Sequence, residues 1–372
     1  MHQVLIYERM AGAQRASSLE ETLADLSTCL TKRHQIKIRR DAVFADFVEF
    51  LKKPVSDNCK FEVKFVTDGW TEPASDTGGP RNQLFTLFFQ ECMQSERCMF
   101  ESNDNALFPV DNAEALDGRW FFCLGRAIVL SLVQQGAGFP YMAKCCANKI
   151  VNRQCAEDEN LTKLFQKITM AQVQAKSEEE LKQLLGDNDI QLLLKGMRVV
   201  DDEMSMKTRL KNIVRLQNCP NAIKQLTEGL DTLGFLDNIR GYEDEFERFL
   251  VLTEGYFIDS VFMRKQLFDP LMNLKALSDG QVNVKEWAAM CLTSMNDDQA
   301  LNLYEFITGM RSLPPGDCDI MIEFNVQNTS DKLPRAITCA WLLLLPLGND
   351  SDKEFVRSFR TALDNRTEFG RI

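Results

Sequence analysis

Cys339 lies inside the apolar run LPRAITCAWLLLLP, Leu333 to Pro346. A cysteine that attacks an amide or ester needs a base beside it, nearly always a histidine. The chain has 2 histidines, His2 and His34, both near its start and neither in a motif, so a Cys-His hydrolase is not expected. There is no GxxxxGK[ST] and no GxGxxG, and DTGGPR (76–81) reads as a turn rather than a phosphate cradle. Without any CxxC spacing, no Cys/His zinc centre is expected and no cofactor is implied. One cysteine chemistry needs no strong base. Moving an acyl group between thiols is nearly isoenergetic, because a thiolate attacks and a thiolate leaves. It requires access, some thiolate and a docked donor thioester. The alternative is that Cys339 is one more core cysteine, since free Cys is among the most buried residue types.

The bulk composition narrows the partners. With 43 basic and 54 acidic residues the formal net charge is −11, which disfavours nucleic acid and anionic membrane as partners. The basic run KRHQIKIRR, Lys32 to Arg40, reads as a solvated face. The 12 cysteines do not form a small-domain disulfide framework, and MHQVLIYERMAG has no long apolar stretch. Reduced thiols in the cytosol or nucleus are the expectation. No apolar run approaches the roughly 20 residues that span a bilayer.

The elements around the cysteine follow from periodicity. SSLEETLADLSTCL predicts a helix with Leu19, Leu23, Leu26 and Leu30 on one face. KFEVKFV alternates, with Phe61, Val63 and Phe65 on one side, as a half-buried strand does. Gly78-Gly79-Pro80 ends a loop, with Pro80 suited to the first helical position. Leu84, Leu87 and Phe88 then mark the helix face, and Asp76 and Arg81 cap and brace its start. Further on, Leu161, Leu164, Phe165 and Ile168 share a face, and Ser177 is a candidate N-cap. Leu210, Ile213 and Val214 form another stripe, broken at Cys219-Pro220 and resumed by Ile223, Leu226, Leu230 and Leu233. The stretch 160–255 is therefore expected to be a small helical subdomain. DDQALNLYEFITG predicts a helix with Leu301, Tyr304 and Ile307 inward and Gly309 as its stop. DIMIEFNV predicts a strand with Ile320, Ile322, Phe324 and Val326 on one face, and the cysteine segment supplies a second strand with Trp341 in the core. A capping box from Ser351 to Glu354 starts a last helix lined by Phe355, Phe359 and Leu363. Helix, strand, strand and helix make a compact α/β unit.

LPRAITC resembles the active-site signature of HECT-type ubiquitin ligases. The helix and turn DDQALNLYEFITGMRSLPPG (297–316) resemble those before that family's active-site strand. EFVRSFRTALDNRTEFG resembles its last helix and tail, where Phe369 holds the place of a functional phenylalanine. IKIRRDAVFADFVEFL followed by DTGGPRNQLFTLFF resembles the start of its first lobe, and FFCLGRAIVLSLVQQGAGFPY its central helix. The resemblance spans about residues 36 to 372.

It implies an α+β, bilobed fold: a lead-in at 1–35, a mostly helical N-lobe at 36–257 and a compact α/β C-lobe at 258–372. The 160–255 subdomain docks a ubiquitin-conjugating enzyme, and a hinge lies near 253–262. It further implies ubiquitin, a conjugating enzyme and protein substrates as partners, with Cys339 accepting ubiquitin as a thioester and passing it to a substrate lysine. Thr338 is either a strand residue or a hydrogen-bond donor near the thioester. Glu368, Asp364 or the terminal carboxylate are the candidates to take the amine proton. Pro334 and Arg335 are read as loop shape and surface charge, and the remaining cysteines as packing residues. Four places depart from the family's pattern. Ile337 stands where a histidine is common, Ala340 and Trp341 where Phe-Asn is common, and Leu344 where an aspartate is common. Either transfer survives on the thiol, or the domain binds without catalysing.

Overall fold

Alternating Phe61, Val63 and Phe65 do form a strand in the computed structural model of the protein, which describes residues 17–54, 59–72, 78–103, 106–151, 205–217, 219–276 and 278–365, with 173, 176–177, 179–181 and 183. Its secondary structure is mixed α/β, with many helices and small sheets. The described chain falls into two compact units. One holds Met1–Cys29, Gln90–Leu130 and Phe139–Thr253; the other holds Leu30–Phe89, Ser131–Gly138 and Glu254–Ile372.

The second unit contains Cys339. Its first strand, β1 (Lys32–Arg39), runs parallel to β2 (Cys59–Thr67), with Ile36 opposite Val63 and Ile38 opposite Phe65. The basic run is thus mostly strand: Ile36 and Ile38 are buried while Lys37 and Arg39 face solvent. A parallel pair needs a crossover, and α1 (Val43–Leu51) supplies it. Six of its side chains are buried: Val43, Phe44, Phe47, Val48, Phe50 and Leu51. Helix α2 (Gly79–Met93) meets α1 and β2 through aromatic rings. The Phe47 ring lies edge-on to Phe88 at 5.1 Å, Phe85 at 5.7 Å and Phe61 at 6.2 Å, each pair adding about 0.5–1.5 kcal/mol beyond its area. The buried face of α2 is Leu84, Phe85, Phe88 and Phe89, with the expected Leu87 only half-buried. Arg40 locks this corner: its guanidinium lies over Phe65 at 4.1 Å, pairs with Glu72 and donates to Gln83 Oε1 at 3.2 Å.

Three helices follow: α3 (Ser260–Asn273), α4 (Asp279–Ser294) and α5 (Asp297–Thr308). Each starts on a side-chain cap, from Asp259, Ser278 and Asn296, as short polar residues favour. Gly309 adopts φ 74° and stops α5. Tyr304 and Ile307 are buried and Leu301 is half-buried. The C-terminal end of α5 docks on α2: Thr86 Oγ1 donates to the Gly309 carbonyl at 2.7 Å, and Asn82 Nδ2 reaches the Thr308 carbonyl at 3.5 Å.

A three-stranded sheet completes the unit: β3 (Met321–Phe324), β4 (Arg335–Ile337) and β5 (Leu342–Leu345), in spatial order β3-β5-β4. β5 pairs parallel with β3 and antiparallel with β4. Val326, expected inward with Ile320, Ile322 and Phe324, is 62% exposed. The strand ends at Phe324, and the Val326 N–H turns back to the Phe324 carbonyl at 2.9 Å. The last helix, α6 (Asp352–Asp364), buries Phe355, Phe359 and Leu363 as expected. Its cap is half the expected box. Ser351 Oγ accepts from Glu354 N at 3.3 Å, but Glu354 Oε2 accepts from Asp350 N, at 2.9 Å, instead of from Ser351. Leu267, Leu292, Tyr304, Ile322, Leu343 and Phe355 belong to one shared core.

In the first unit the expected helix runs Leu19–Thr28, with Leu19, Leu23 and Leu26 buried. Helices Met206–Gln217 and Pro220–Leu230 are separated at Cys219-Pro220 as the sequence indicates. Leu210 and Val214 are buried on the first of them, and Ile223, Leu226, Leu230 and Leu233 on the resumed stripe. Asp111 caps the second helix, accepting from Ala222 N at 2.7 Å. Ser177 Oγ accepts from Glu180 N at 3.3 Å. The stripe Leu161, Leu164, Phe165 and Ile168 lies outside the described residues, as does Asp76.

The Asp350 N–H and then the Lys332 ammonium hold the Glu354 carboxyl below its ordinary 4.5. A carboxyl depressed in the folded state stabilises the fold above its unfolded value, and that contribution disappears as pH falls through the folded value. Urea unfolding of wild type and Glu354→Gln is expected to diverge at pH 7 and to converge only as pH falls through the depressed folded value, which lies below 4.5.

Candidate functional site

Cys339 sits in the four-residue turn Thr338–Trp341 that joins β4 to β5. The turn is closed by the Ala340 N–H, which donates to the Ile337 carbonyl at 3.0 Å. Trp341 has φ 48°, a left-handed conformation that bulky residues seldom adopt. Two contacts hold it there. Its carbonyl accepts from Met321 N at 2.9 Å, and its half-buried ring packs against the shared core. The strand behind is anchored by Leu343 and Leu345, both buried. Cys339 itself is exposed, so a core role for its side chain does not describe this geometry.

The other side of the turn rests on the start of α2. A Cβ built on Gly79 would lie 1.8 Å from Thr338 Oγ1, 2.9 Å from Thr338 Cβ and 3.7 Å from the Cys339 nitrogen. Only a residue without a side chain lets the turn approach so closely. Thr338 is half-buried at this contact. The seat is braced from beneath. Gln134 accepts from Phe61 N at 2.9 Å through Oε1 and from Arg81 Nη2 at 3.3 Å through its carbonyl, linking β2 to the first turn of α2.

The loop before β4 is tied by short polar bonds. Arg335 pairs with Asp331 at 2.7 Å, and the Asp331 carbonyl accepts from Gly348 N at 2.8 Å. Asn349 Nδ2 donates to the Lys332 carbonyl at 2.9 Å, and Lys332 pairs with Glu354 at 2.6 Å. Pro334 is buried and shapes the loop. The apolar departures face different ways: Ile337 is 41% exposed, Leu344 is half-buried opposite Arg335, and Trp341 turns to the core.

His34 stacks on Phe50 at 5.6 Å in β1 and serves packing. Phe369 and Glu368 lie outside the described residues, and Asp364 ends α6 in an exposed position. Among the described residues no group of His, Cys, Asp and Glu is arranged to hold a metal ion. Nor is any described helix long and apolar enough to cross a membrane. The structure brings Thr338 and Cys339 together with Gly79, which sequence reading took only as the end of a loop. Its signal was the paired glycine before a proline-led helix start, which admits a close backbone approach as readily as a turn.

Among the described residues the other cysteines are mostly packing residues, with Cys98 the clear exception. Burial pushes the Cys59 and Cys291 thiols up to about 11 and Cys219 up to about 12. Cys98 is exposed instead, in a left-handed turn after Ser95–Arg97.

Residues 263–372 match the family model of the HECT-domain (ubiquitin-transferase). That stretch includes α4 to α6 and the whole β3-β5-β4 sheet with Cys339. A comparison with curated proteins finds no match.

Among the described cysteines, brief alkylation of the native chain by a neutral maleimide is expected to label Cys339 and Cys98 first. Cys59, Cys92, Cys123, Cys146 and Cys318 follow only on unfolding, because thiolate and access are both required. Peptide mass spectrometry against time reads the order.

Proposed function

We propose that this chain is a ubiquitin-protein transferase that accepts ubiquitin from a conjugating enzyme as a thioester on Cys339 and passes it to a substrate lysine. As a family, HECT domains work with ubiquitin, conjugating enzymes and protein substrates, and the family match covers the cysteine turn. The observation that carries the reading is an exposed cysteine, in a pinned turn, inside the matched stretch.

In the first step the Cys339 thiolate attacks the carbonyl carbon of the donor thioester. A C–S bond forms to Cys339, the donor's C–S bond breaks, and the donor leaves as thiolate. No net proton moves, which is why this step needs no histidine base. In the second step a neutral lysine amine attacks the new thioester, the amine loses a proton, and Cys339 leaves as thiolate. Glu368, Asp364 or the terminal carboxylate takes that proton, and Phe369 docks the tail while it does so. Thr338 orients the thioester from the residue before. In this reading residues 36–257 form the N-lobe, with conjugating-enzyme docking in 160–255. Residues 258–372 form the C-lobe, which swings on a hinge near 253–262 in a cytosolic or nuclear protein.

A second reading, a binding module that no longer catalyses, draws on Ile337. This exposed apolar side chain, two residues before Cys339, offers no hydrogen bond to a thioester or an incoming amine. The two are separated by mixing the chain with a ubiquitin-loaded conjugating enzyme. Transfer predicts a ubiquitin adduct that thiol reductant removes and that Cys339→Ala abolishes. Binding without any adduct in wild type supports the second reading. An adduct that persists in Cys339→Ala contradicts the assignment.

A further inference from the structure

Gly79 belongs to a motif, DTGGPR, that the proposed reaction does not use. The structure gives it a task. The space a Gly79 side chain requires is already filled by Thr338, with Oγ1 1.8 Å and Cβ 2.9 Å from the position of the missing Cβ. Real Cβ contacts do not come that close, so any side chain at 79 has to move the cysteine turn or the helix. The helix cannot yield easily. Phe85 and Phe88 are fixed in the aromatic cluster, Gln83 is held by Arg40, and Thr86 binds the Gly309 carbonyl. Gly309 packs against the first turn of α2, where its own Cβ would lie 3.4 Å from the Gly79 carbonyl and 3.3 Å from Gln83 N. The turn has fewer restraints. Besides its closure by the Ala340 N–H on the Ile337 carbonyl and the anchor at Trp341, the turn is held at Thr338 by this contact.

We infer that Gly79 is a positioning residue for Cys339: it is the seat on which the turn rests, with Thr338 inward and the thiol outward. The inference rests on the proposed transfer reading. In that reading the seat belongs to the N-lobe stretch and the turn to the C-lobe stretch, so a swing on the hinge breaks the contact and a return remakes it. Acceptance and release of the acyl group need the thiol aimed, and a displacement of about 1 Å at a reacting group is enough for a large rate loss.

The contact is tested by a double-mutant cycle, because residues that act through one contact are non-additive. The variants are Gly79→Ala, Thr338→Gly and the pair. They are compared in the rate of ubiquitin loading, in the rate of Cys339 alkylation by a small neutral reagent, and in melting temperature. Gly79→Ala is expected to slow loading by about tenfold or more when Thr338 is present, and by no more than about twofold when Thr338 is Gly. The same pattern is expected in the alkylation rate, with melting temperatures close together. Equal costs in both backgrounds, or no cost in either, overturn the inference. Should Gly79→Ala fail to fold, Thr338→Ile probes the contact from the turn. It is expected to slow loading with α2 untouched, and wild-type loading in that variant overturns the inference. The alkylation arm uses no ubiquitin. A non-additive alkylation cycle without any loading therefore refutes the transfer reading and keeps the seat, while loading with an additive cycle does the reverse.

Discussion

Parallel pairing of β5 with β3, backed by burial of Leu343 and Leu345, is the constraint from which the cysteine's position follows. β5 is the central strand, with β3 on one side and β4 on the other. Its register places Leu342 opposite both Met321 and Ile337. Slipping a strand by one residue sends every side chain to the opposite face, but β5 is leucine throughout, Leu342–Leu345, so alternation alone does not choose its register. The pairs to β3 and β4 set where the turn before β5 lies. The Met321 N–H on the Trp341 carbonyl extends the pairing to the edge of that turn. The left-handed backbone at Trp341 costs of order 1–3 kcal/mol, offset by the ring's packing and by the register itself.

A turn fixed in this way separates two demands that usually conflict. A nucleophile has to be accessible, and it has to be aimed. Exposure of Cys339 satisfies the first, and the anchoring of its neighbours on both sides satisfies the second. The chemistry this favours is exchange between thiols, in which the acceptor needs no strong base and the leaving group resembles the nucleophile. In the proposed reaction, apolar Ile337 bears on the second step, where an amine has to lose a proton and polar neighbours assist.

The parts of the fold governed by local chemistry were legible in the sequence. Period-two alternation marked β2 and β3, Gly309 marked the end of α5, Ser351 marked the start of α6, and Cys219-Pro220 marked a helix break. The errors were those of local reading. Leu87 was placed with Leu84 and Phe88 because their spacing fits a helix face, yet the aromatic cluster around Phe47 draws in Phe85 and Phe89 instead. Val326 continued an alternation that the backbone had already ended with a turn at Phe324. β4 is three residues long, too short to show a period, so the hairpin holding Cys339 read as a single strand. The cysteine stood out through the scarcity of histidine and the resemblance in its flanks. Its seat did not, because the meeting of Gly79 with Thr338 joins segments far apart in the chain and leaves only a paired glycine behind.

The central claim, that Cys339 itself carries the acyl group, is met most directly by Cys339→Ser. Serine at this position is expected to trap ubiquitin as an oxygen ester, giving an adduct that survives thiol reductant and is cleaved by mild alkali. An adduct in that variant that reductant still removes places the thioester on another cysteine and contradicts the account.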